Sequence, residues 1–320
     1  MVEKRRDQNE KQELPLKLAL HSMRELERLL GTSRVSLRAI EQEAGSCYSP
    51  FESSPRARPF QKILKPHKAR TIDNPLEILK TVQRRINRHL LGKLDFPCYL
   101  CGGVRGRTVL DNVLMHFGAK RLVAIDIKSF FPSITNIHIY DVWRKLLGCS
   151  DEISGLLTRL TTVERHLPQG APTSTLLANL VLHMSDGEIR HACTRKGITY
   201  TSWVDDLAFS GMDSCEILEI VIPTLNRAGF SISRRKIRIM GPGDRKTLTG
   251  VLMGKFPSVL KDRLSQLRSG IHKIRTRQVP PSQLEKYVNS LKGRIVHVGS
   301  IVPLKAEKLR RELEAVCSHF

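Results

Sequence analysis

The sequence predicts an α+β fold, and three observations carry that reading. Two apolar, β-rich runs, near residues 125 and 205, hold acidic residues where each run breaks. After residue 258 the periodicity turns helical, in three successive apolar stripes. The 320 residues carry 53 Lys and Arg against 31 Asp and Glu, a net charge of +22, with 40% hydrophobic residues. That apolar share can build a core, which excludes a wholly disordered chain, and the length allows roughly two or three cooperating domains. A positive excess of this size repels itself in a compact state. An acidic partner is therefore expected, nucleic acid ahead of a membrane surface.

No apolar run approaches the roughly 20 residues a bilayer span needs. Met1 to Glu13 is charged where a secretory signal needs an apolar stretch. A cytoplasmic protein with no membrane contact is predicted. Seven cysteines (Cys47, Cys98, Cys101, Cys149, Cys193, Cys215, Cys317) are odd in number and scattered, which predicts reduced structural thiols. Cys98-Tyr99-Leu100-Cys101 has metal-ligand spacing, but no second Cys pair or compact His pair follows to close a tetrahedral site.

Along the chain, Leu16, Leu18, Leu20, Met23, Leu26 and Leu29-Leu30 read as a helix ended by Gly31, and Thr32 to Ala44 as another. Ser46 to Arg58, rich in Ser, Pro and Arg, reads as a connector. A basic stretch from Phe60 to Thr71 precedes a helix near Leu76 to Leu91 that carries Lys80, Arg84, Arg85 and Arg88, a nucleic-acid track or a solvated face. Arg121 to Ile127 reads as a buried strand. Its Asp126 is penalised there unless it ends the strand, meets a cation or binds metal, and Lys128-Ser129-Phe130-Phe131-Pro132 breaks the strand just after it. Thr199 to Ser210 reads as a hairpin with Asp205-Asp206 at its tip. Adjacent residues of an extended chain face opposite ways, so the turn decides which of the two acids shares a side with Asp126.

From Ser258 onward, Leu260, Leu264, Leu267, Ile271 and Ile274 form one stripe, Leu284, Val288, Leu291 and Ile295 a second, and Leu309, Leu313 and Val316 a third. Lys261, Arg263, Arg268, Lys273, Arg275 and Arg277 take other faces of the first helix. The result is a small basic bundle, either a plain surface bundle or a clamp on a nucleic-acid backbone.

A strand-borne Asp, a Leu167-Pro168-Gln169-Gly170 turn and a hairpin Asp-Asp follow one another in order. Nucleotide polymerisation has matching needs, since two Mg²⁺ ions about 3.5–4 Å apart serve the primer hydroxyl and the triphosphate and prefer oxygen ligands. With these residues, the sequence from about Lys62 onward resembles reverse transcriptases, and more closely the bacterial retron enzymes. Ile125 to Pro132 resembles the family's first catalytic motif, Leu167 to Ser174 its nucleotide-pocket motif, and Trp203-Val204-Asp205-Asp206 its aromatic-X-Asp-Asp box. Asn112-Val113-Leu114-Met115-His116 and Leu248-Thr249-Gly250 resemble two retron segments, each departing by one apolar residue. Trp203 stands where the family usually has Tyr.

The resemblance implies a right-hand polymerase with fingers, an antiparallel palm sheet and a helical thumb. Its implied boundaries are an N-terminal helical extension at 1–60, fingers at 61–121, palm at 122–255 with a fingers segment about 140–175, and thumb at 256–320. It implies that Asp126, Asp205 and Asp206 are catalytic and hold two Mg²⁺ ions. Arg70, Gln169 and Lys236 would contact the nucleotide, and Phe131 would exclude a 2′-hydroxyl. Trp203, Asn112, His116, Lys261, Arg268 and Arg275 would contact primer or template.

In function, the resemblance implies an RNA-directed DNA polymerase that uses dNTPs to copy part of a cognate structured noncoding RNA. Priming from a guanosine 2′-hydroxyl would leave branched multicopy single-stranded DNA, within an anti-phage defence system that includes a separately encoded effector. The alternatives are an intron- or CRISPR-associated reverse transcriptase, an RNA-dependent RNA polymerase, and a nonpolymerising RNA-binding scaffold. A scaffold has no use for clustered carboxylates that repel one another without metal.

Overall fold

A computed structural model describes residues 17–53 and 70–318. The chain enters irregular, with Leu20 buried and Ser150 donating its N–H to the Leu20 carbonyl, before helices α1 (Met23–Leu30) and α2 (Arg34–Gln42). The first helix is thus shorter than the Leu16–Leu30 pattern suggests. Leu20 reaches the core from irregular chain, next to Ala19 at φ 47°, and Leu16 lies outside the described residues.

Strand β1 (Tyr48–Ser53) pairs antiparallel with β2 (Arg70–Pro75), so part of the expected Ser46–Arg58 connector is a strand. Its Ser and Pro residues mask the strand because β1 is an edge with no apolar alternation to read. Helix α3 (Glu77–His89) follows, with Leu79, Val82 and Ile86 buried. On its polar side Arg84 pairs with Glu77, and Arg85 closes the end of α1 by donating to the carbonyls of Leu30 and Gly31 and to Thr32 Oγ1. Lys80 donates to Asn74 Oδ1 at 3.1 Å, so three of the four residues of the expected basic track have partners within the fold, while Arg88 is exposed.

Helix α4 (Val109–Met115) begins at a Thr108–Asp111 capping box and leads into β3 (Leu122–Lys128). A one-turn helix α5 (Phe130–Ser133) breaks that strand, and α6 (Asn136–Asp141), α7 (Asp151–Thr161), α8 (Ser174–Ser185) and α9 (Gly187–Arg195) pack behind it. Strands β4 (Thr199–Trp203) and β5 (Asp206–Ser210) form the predicted hairpin, and α10 (Leu218–Arg227) leads to β6 (Ser231–Ile232) and β7 (Arg238–Met240). The central sheet runs β4-β5-β3-β6, with β7 also on β3, and its neighbours are antiparallel.

This sheet separates two hydrophobic clusters. Val123, Ile125 and Ile127 of β3, with Leu207 and Phe209 of β5, enter the larger one, beside Trp143 and Phe230. Leu122 and Ala124, with Ala208, face the smaller one, shared with the C-terminal helices. Strands β8 (Thr247–Leu248), β9 (Val251–Met253) and β10 (Pro257–Val259) form a second small sheet. The expected boundary at 255/256 falls inside the β9–β10 hairpin, and the helical region begins at Lys261 rather than Ser258. Helices α11 (Lys261–Arg275), α12 (Pro281–Gly299) and α13 (Pro303–Cys317) bury Leu267, Ile271, Ile274, Leu291, Ile295, Leu309, Leu313 and Val316, the deep members of the three expected stripes. No helix among the described residues is long and apolar enough to cross a membrane.

Candidate active site

Strand register builds the site. Asp126 of β3 is the direct cross-strand partner of Asp206 of β5, and Asp206 is the partner of Trp203 of β4. Cross-strand partners share a face, so Trp203, Asp206 and Asp126 form one row across three strands. The row lies on the face of Leu122, Ala124 and Ala208, beyond the edge of the smaller cluster. The alternation that sends Ile125, Ile127 and Leu207 into the core therefore sends the two acids the other way. Of the hairpin pair, Asp206 is the acid in strand register with Asp126. Asp205 lies in the two-residue turn, where its main-chain oxygen accepts from Ile127 N–H at 2.9 Å.

The turn is held from outside. Val204 adopts φ 62°, strained for a β-branched residue. Against it lies the segment Tyr99–Gly102, joined to β4 by Ser202 N–H to Tyr99 O and Cys101 N–H to Ser202 O, both 2.8 Å. A Cβ at Gly102 would sit 2.6 Å from Val204 N and Cγ2, so glycine is required for this approach. Arg107 braces the segment by donating to the carbonyls of Phe96, Pro97 and Leu100. The Cys98 and Cys101 thiols are pushed above the usual range by burial. Beneath the hairpin, buried Asp186 accepts from Arg190, Tyr99 and Tyr200, and Tyr200 stacks on Phe209. Removal from water pushes Asp186 up to about 6 against the lowering pull of Arg190.

Lys236 Nζ donates to Asp126 Oδ2 at 2.7 Å. The side chain of Asp126 is 13% exposed, and that of Lys236 56%. Partial removal from water, then the charges of Asp205 and Asp126, push Asp206 up to about 6, while Arg238 and Lys236 pull it down. Asp206 keeps part of its surface in water. Arg238, in register with Ala124 on the same face, is a cation that the motif reading missed. Its signal was strand alternation two residues past Lys236.

Directly after β3, Ser129 takes a left-handed conformation (φ 51°) and starts the turn that holds Phe131, which is half-buried against the larger cluster. Leu167 N–H donates to Ile134 O, and the turn that follows lies against β2, with Gln169 half-buried. The backbone of Arg70 opens β2, while its side chain lies outside the described residues.

A model of the family described as Reverse transcriptase (RNA-dependent DNA polymerase) matches residues 62–279. The chain belongs to the reverse transcriptase family. It is similar to the Retron Ec86 reverse transcriptase of Escherichia coli, 30% identical over 209 residues, or 64% of this chain and 65% of the relative. It is 24% identical over 308 residues to the Retron Se72 reverse transcriptase of Salmonella heidelberg (strain 579083-10), covering 92% of this chain and 79% of the relative. With the Retron Mx65 reverse transcriptase of Myxococcus xanthus it shares 28% identity over 287 residues, 82% of this chain and 66% of the relative. The chain thus spans about two thirds of the Ec86 and Mx65 relatives. The central sheet is the palm of a right-hand polymerase fold, and the C-terminal helices correspond to its thumb.

Two expected primer or template contacts of this reverse transcriptase lie elsewhere. His116 is fully buried, its Nδ1 2.7 Å from Ser210 Oγ and its Nε2 2.7 Å from Thr201 Oγ1, and burial pushes it down to about 3. Asn112 is buried one turn earlier on α4. Both underpin the palm sheet on the acid-bearing face and cannot touch nucleic acid. Lys261, Arg268 and Arg275 are exposed on α11, and Trp203 is half-buried at the hairpin end.

Reverse transcriptases generally use divalent metal ions. Among the described residues, no three His, Cys, Asp or Glu side chains stand close enough to hold an ion as they are placed. The donor chemistry nevertheless fits a hard cation. Removal from water, and after it the charges of Asp205 and Asp126, raise Asp206, and an ammonium already pairs with Asp126, so a cation is favoured there.

Proposed function

We propose that this chain is an RNA-directed DNA polymerase of the retron type. It copies part of a cognate structured noncoding RNA into branched multicopy single-stranded DNA, primed from a guanosine 2′-hydroxyl of that RNA. We further propose that it works within an anti-phage defence system beside a separately encoded effector. The observation that carries the polymerase reading is the register placing Asp126 opposite Asp206, in a chain matched by the reverse transcriptase family model over residues 62–279. Similarity to retron enzymes supports the finer reading.

In this reading Asp126, Asp205 and Asp206 hold two Mg²⁺ ions, which when bound activate the primer hydroxyl and neutralise the triphosphate. Lys236, beside Asp126, offers its ammonium to the leaving phosphate. Arg70 in β2 supplies a guanidinium suited to bidentate phosphate contact. Gln169 borders the incoming base and sugar, while the Phe131 ring leaves no room for a 2′-hydroxyl. Trp203, in the row with both strand-borne acids, packs beside the primer end. The exposed Lys261, Arg268 and Arg275 of α11 track the backbone of the RNA–DNA duplex, whose A-like grooves hide base edges from side chains.

The test is incorporation of dNTPs against rNTPs on a primed RNA, with and without Mg²⁺, and sequencing of the nucleic acid that co-purifies. Mg²⁺-dependent use of dNTPs and a covalent RNA–DNA species are expected. Absence of incorporation on every primed template would overturn the polymerase reading, and incorporation without a branched product would overturn the retron reading alone.

A further inference from the structure

We propose that Asp73 is a positioning residue for nucleotide binding, holding the Gln169 turn against the fingers strand that carries Arg70. This rests on the polymerase reading above and assigns a task to a residue outside every motif that supports it.

The argument starts from a mechanical weakness. Strands β1 and β2 form a two-stranded sheet, and an isolated hairpin is marginal in water. Such a hairpin positions a phosphate-binding arginine only if something fixes it to the rest of the molecule. At its base the hairpin is tied to α3, where Gln83 Nε2 donates to the Tyr48 hydroxyl at 2.9 Å and Lys80 Nζ to Asn74 Oδ1 at 3.1 Å. Midway along β2, Asp73 attaches it to the Gln169 turn. Its N–H donates to Gln169 O at 2.9 Å, and its Oδ2 accepts from Gln169 N–H at 2.9 Å. Main chain and side chain of one residue thus close a two-bond clasp on one residue of the turn, 96 positions away.

Neighbouring features make the clasp specific. His166 Nε2 stands 3.4 Å from the same Oδ2, and the Asp73 side chain is 14% exposed, so little water competes for it. Gly170 has φ +126°, and a Cβ there would come within 2.9 Å of Ile72 Cγ2. The turn therefore lies on β2 at backbone contact. Its other end is tied by Leu167 N–H to Ile134 O at 2.9 Å, directly after the turn that holds Phe131. The clasp and this tie together link the three elements that bear Arg70, Gln169 and Phe131. A carboxylate accepting from a main-chain N–H is stronger than a neutral acceptor, which suits a joint that must hold while a nucleotide enters and leaves.

The test uses the full chain with its primed RNA and measures single-nucleotide incorporation for the wild type, Asp73→Ala and Asp73→Asn. Asp73→Ala is expected to raise the KM for dNTP by about tenfold, with kcat at saturating dNTP changed far less. Primer–template affinity should stay as in the wild type. Asp73→Asn keeps an oxygen that can accept from Gln169 N–H, and should recover most of the loss. An unchanged KM in Asp73→Ala, with an active wild type, overturns this inference alone. Equal losses of KM, kcat and thermal stability in both variants also overturn it, since that pattern marks a general folding role. A wild type that incorporates no dNTP overturns the polymerase reading and this inference together.

Discussion

The palm and the thumb place their candidate functional side chains by opposite means. In the palm, Trp203, Asp206 and Asp126 occupy one row because a β-ladder fixes their register, and Ile125, Ile127 and Leu207 beside the two acids are buried in the larger cluster. In the thumb, Lys261, Arg268 and Arg275 recur every seven residues on α11, an exposed row that flanks buried Leu267, Ile271 and Ile274. A row fixed by hydrogen bonds gives three groups that work only together. A row of long basic side chains on a helix gives a field that sums, each charge adding a share. Damage in the palm should therefore be all-or-none for chemistry, and damage in the thumb graded for binding.

The largest test of that contrast is Asp126→Asn or Asp206→Asn. Each removes a charge from the row while leaving the register intact. Incorporation should fall by at least about 10²–10³, by the scale on which enzymes lose a placed electrostatic partner. Cognate RNA should still co-purify, because the thumb is untouched. Loss of RNA together with activity would show that the two regions are not separable. Next in size is Gly102→Ala. Its Cβ would meet the main chain of Val204 and Trp203 at 2.6 to 2.9 Å, so the Val204-Asp205 turn must move. A displacement of about 1 Å suffices for a loss near 10² in rate. Single-turnover incorporation on saturating template checks this, and an unaffected rate would mean that the Tyr99–Gly102 segment does not set the position of the turn.

The parts of the molecule that could be read from sequence follow the same division. The short apolar run around Asp126 and the β-rich flanks of Asp205-Asp206 announced the strands, and helical periodicity after residue 258 announced the helices, since both are local properties of the chain. Which hairpin acid shares a face with Asp126 was not legible, because it depends on a two-residue turn and a positive φ at Val204. Strand β1 was missed because its partner supplies the reason for it. Asp73 was invisible for the same reason, as its clasp spans 96 residues. Asn112 and His116 were misplaced because two polar residues one helical turn apart look the same in sequence whether the helix faces solvent or a sheet.

His116 supplies the third prediction. Fully buried, it stays neutral in the folded protein down to about pH 3, whereas an unfolded chain protonates it near 6.5. Between those values the unfolded state binds more protons, so this residue's contribution is complete above about 6.5 and is lost as pH falls toward 3. Asp186, raised to about 6, works in the opposite sense, so only the difference between variant and wild type isolates His116. Thermal unfolding of His116→Gln should show a deficit of about 1–3 kcal/mol at pH 7 to 8 that narrows steadily below 6.5. A deficit independent of pH would mean that the imidazole is accessible to protons, and would return His116 to the surface role that the sequence suggested.

The smallest expected effects belong to single charges of the thumb. Lys261→Ala, Arg268→Ala and Arg275→Ala should each weaken binding of a primed RNA a few-fold, and should each lower the slope of log affinity against log salt by about 1. The three losses should add in the triple variant, because exposed charges about 10 Å apart along a helix act on different phosphates. Lowering the salt concentration should restore binding, which it cannot do for a missing palm carboxylate. If one of the three instead carried nearly the whole loss and resisted rescue by low salt, that side chain would be making a fixed contact of the palm type. The thumb would then have to be counted among the regions where geometry, not summed charge, decides.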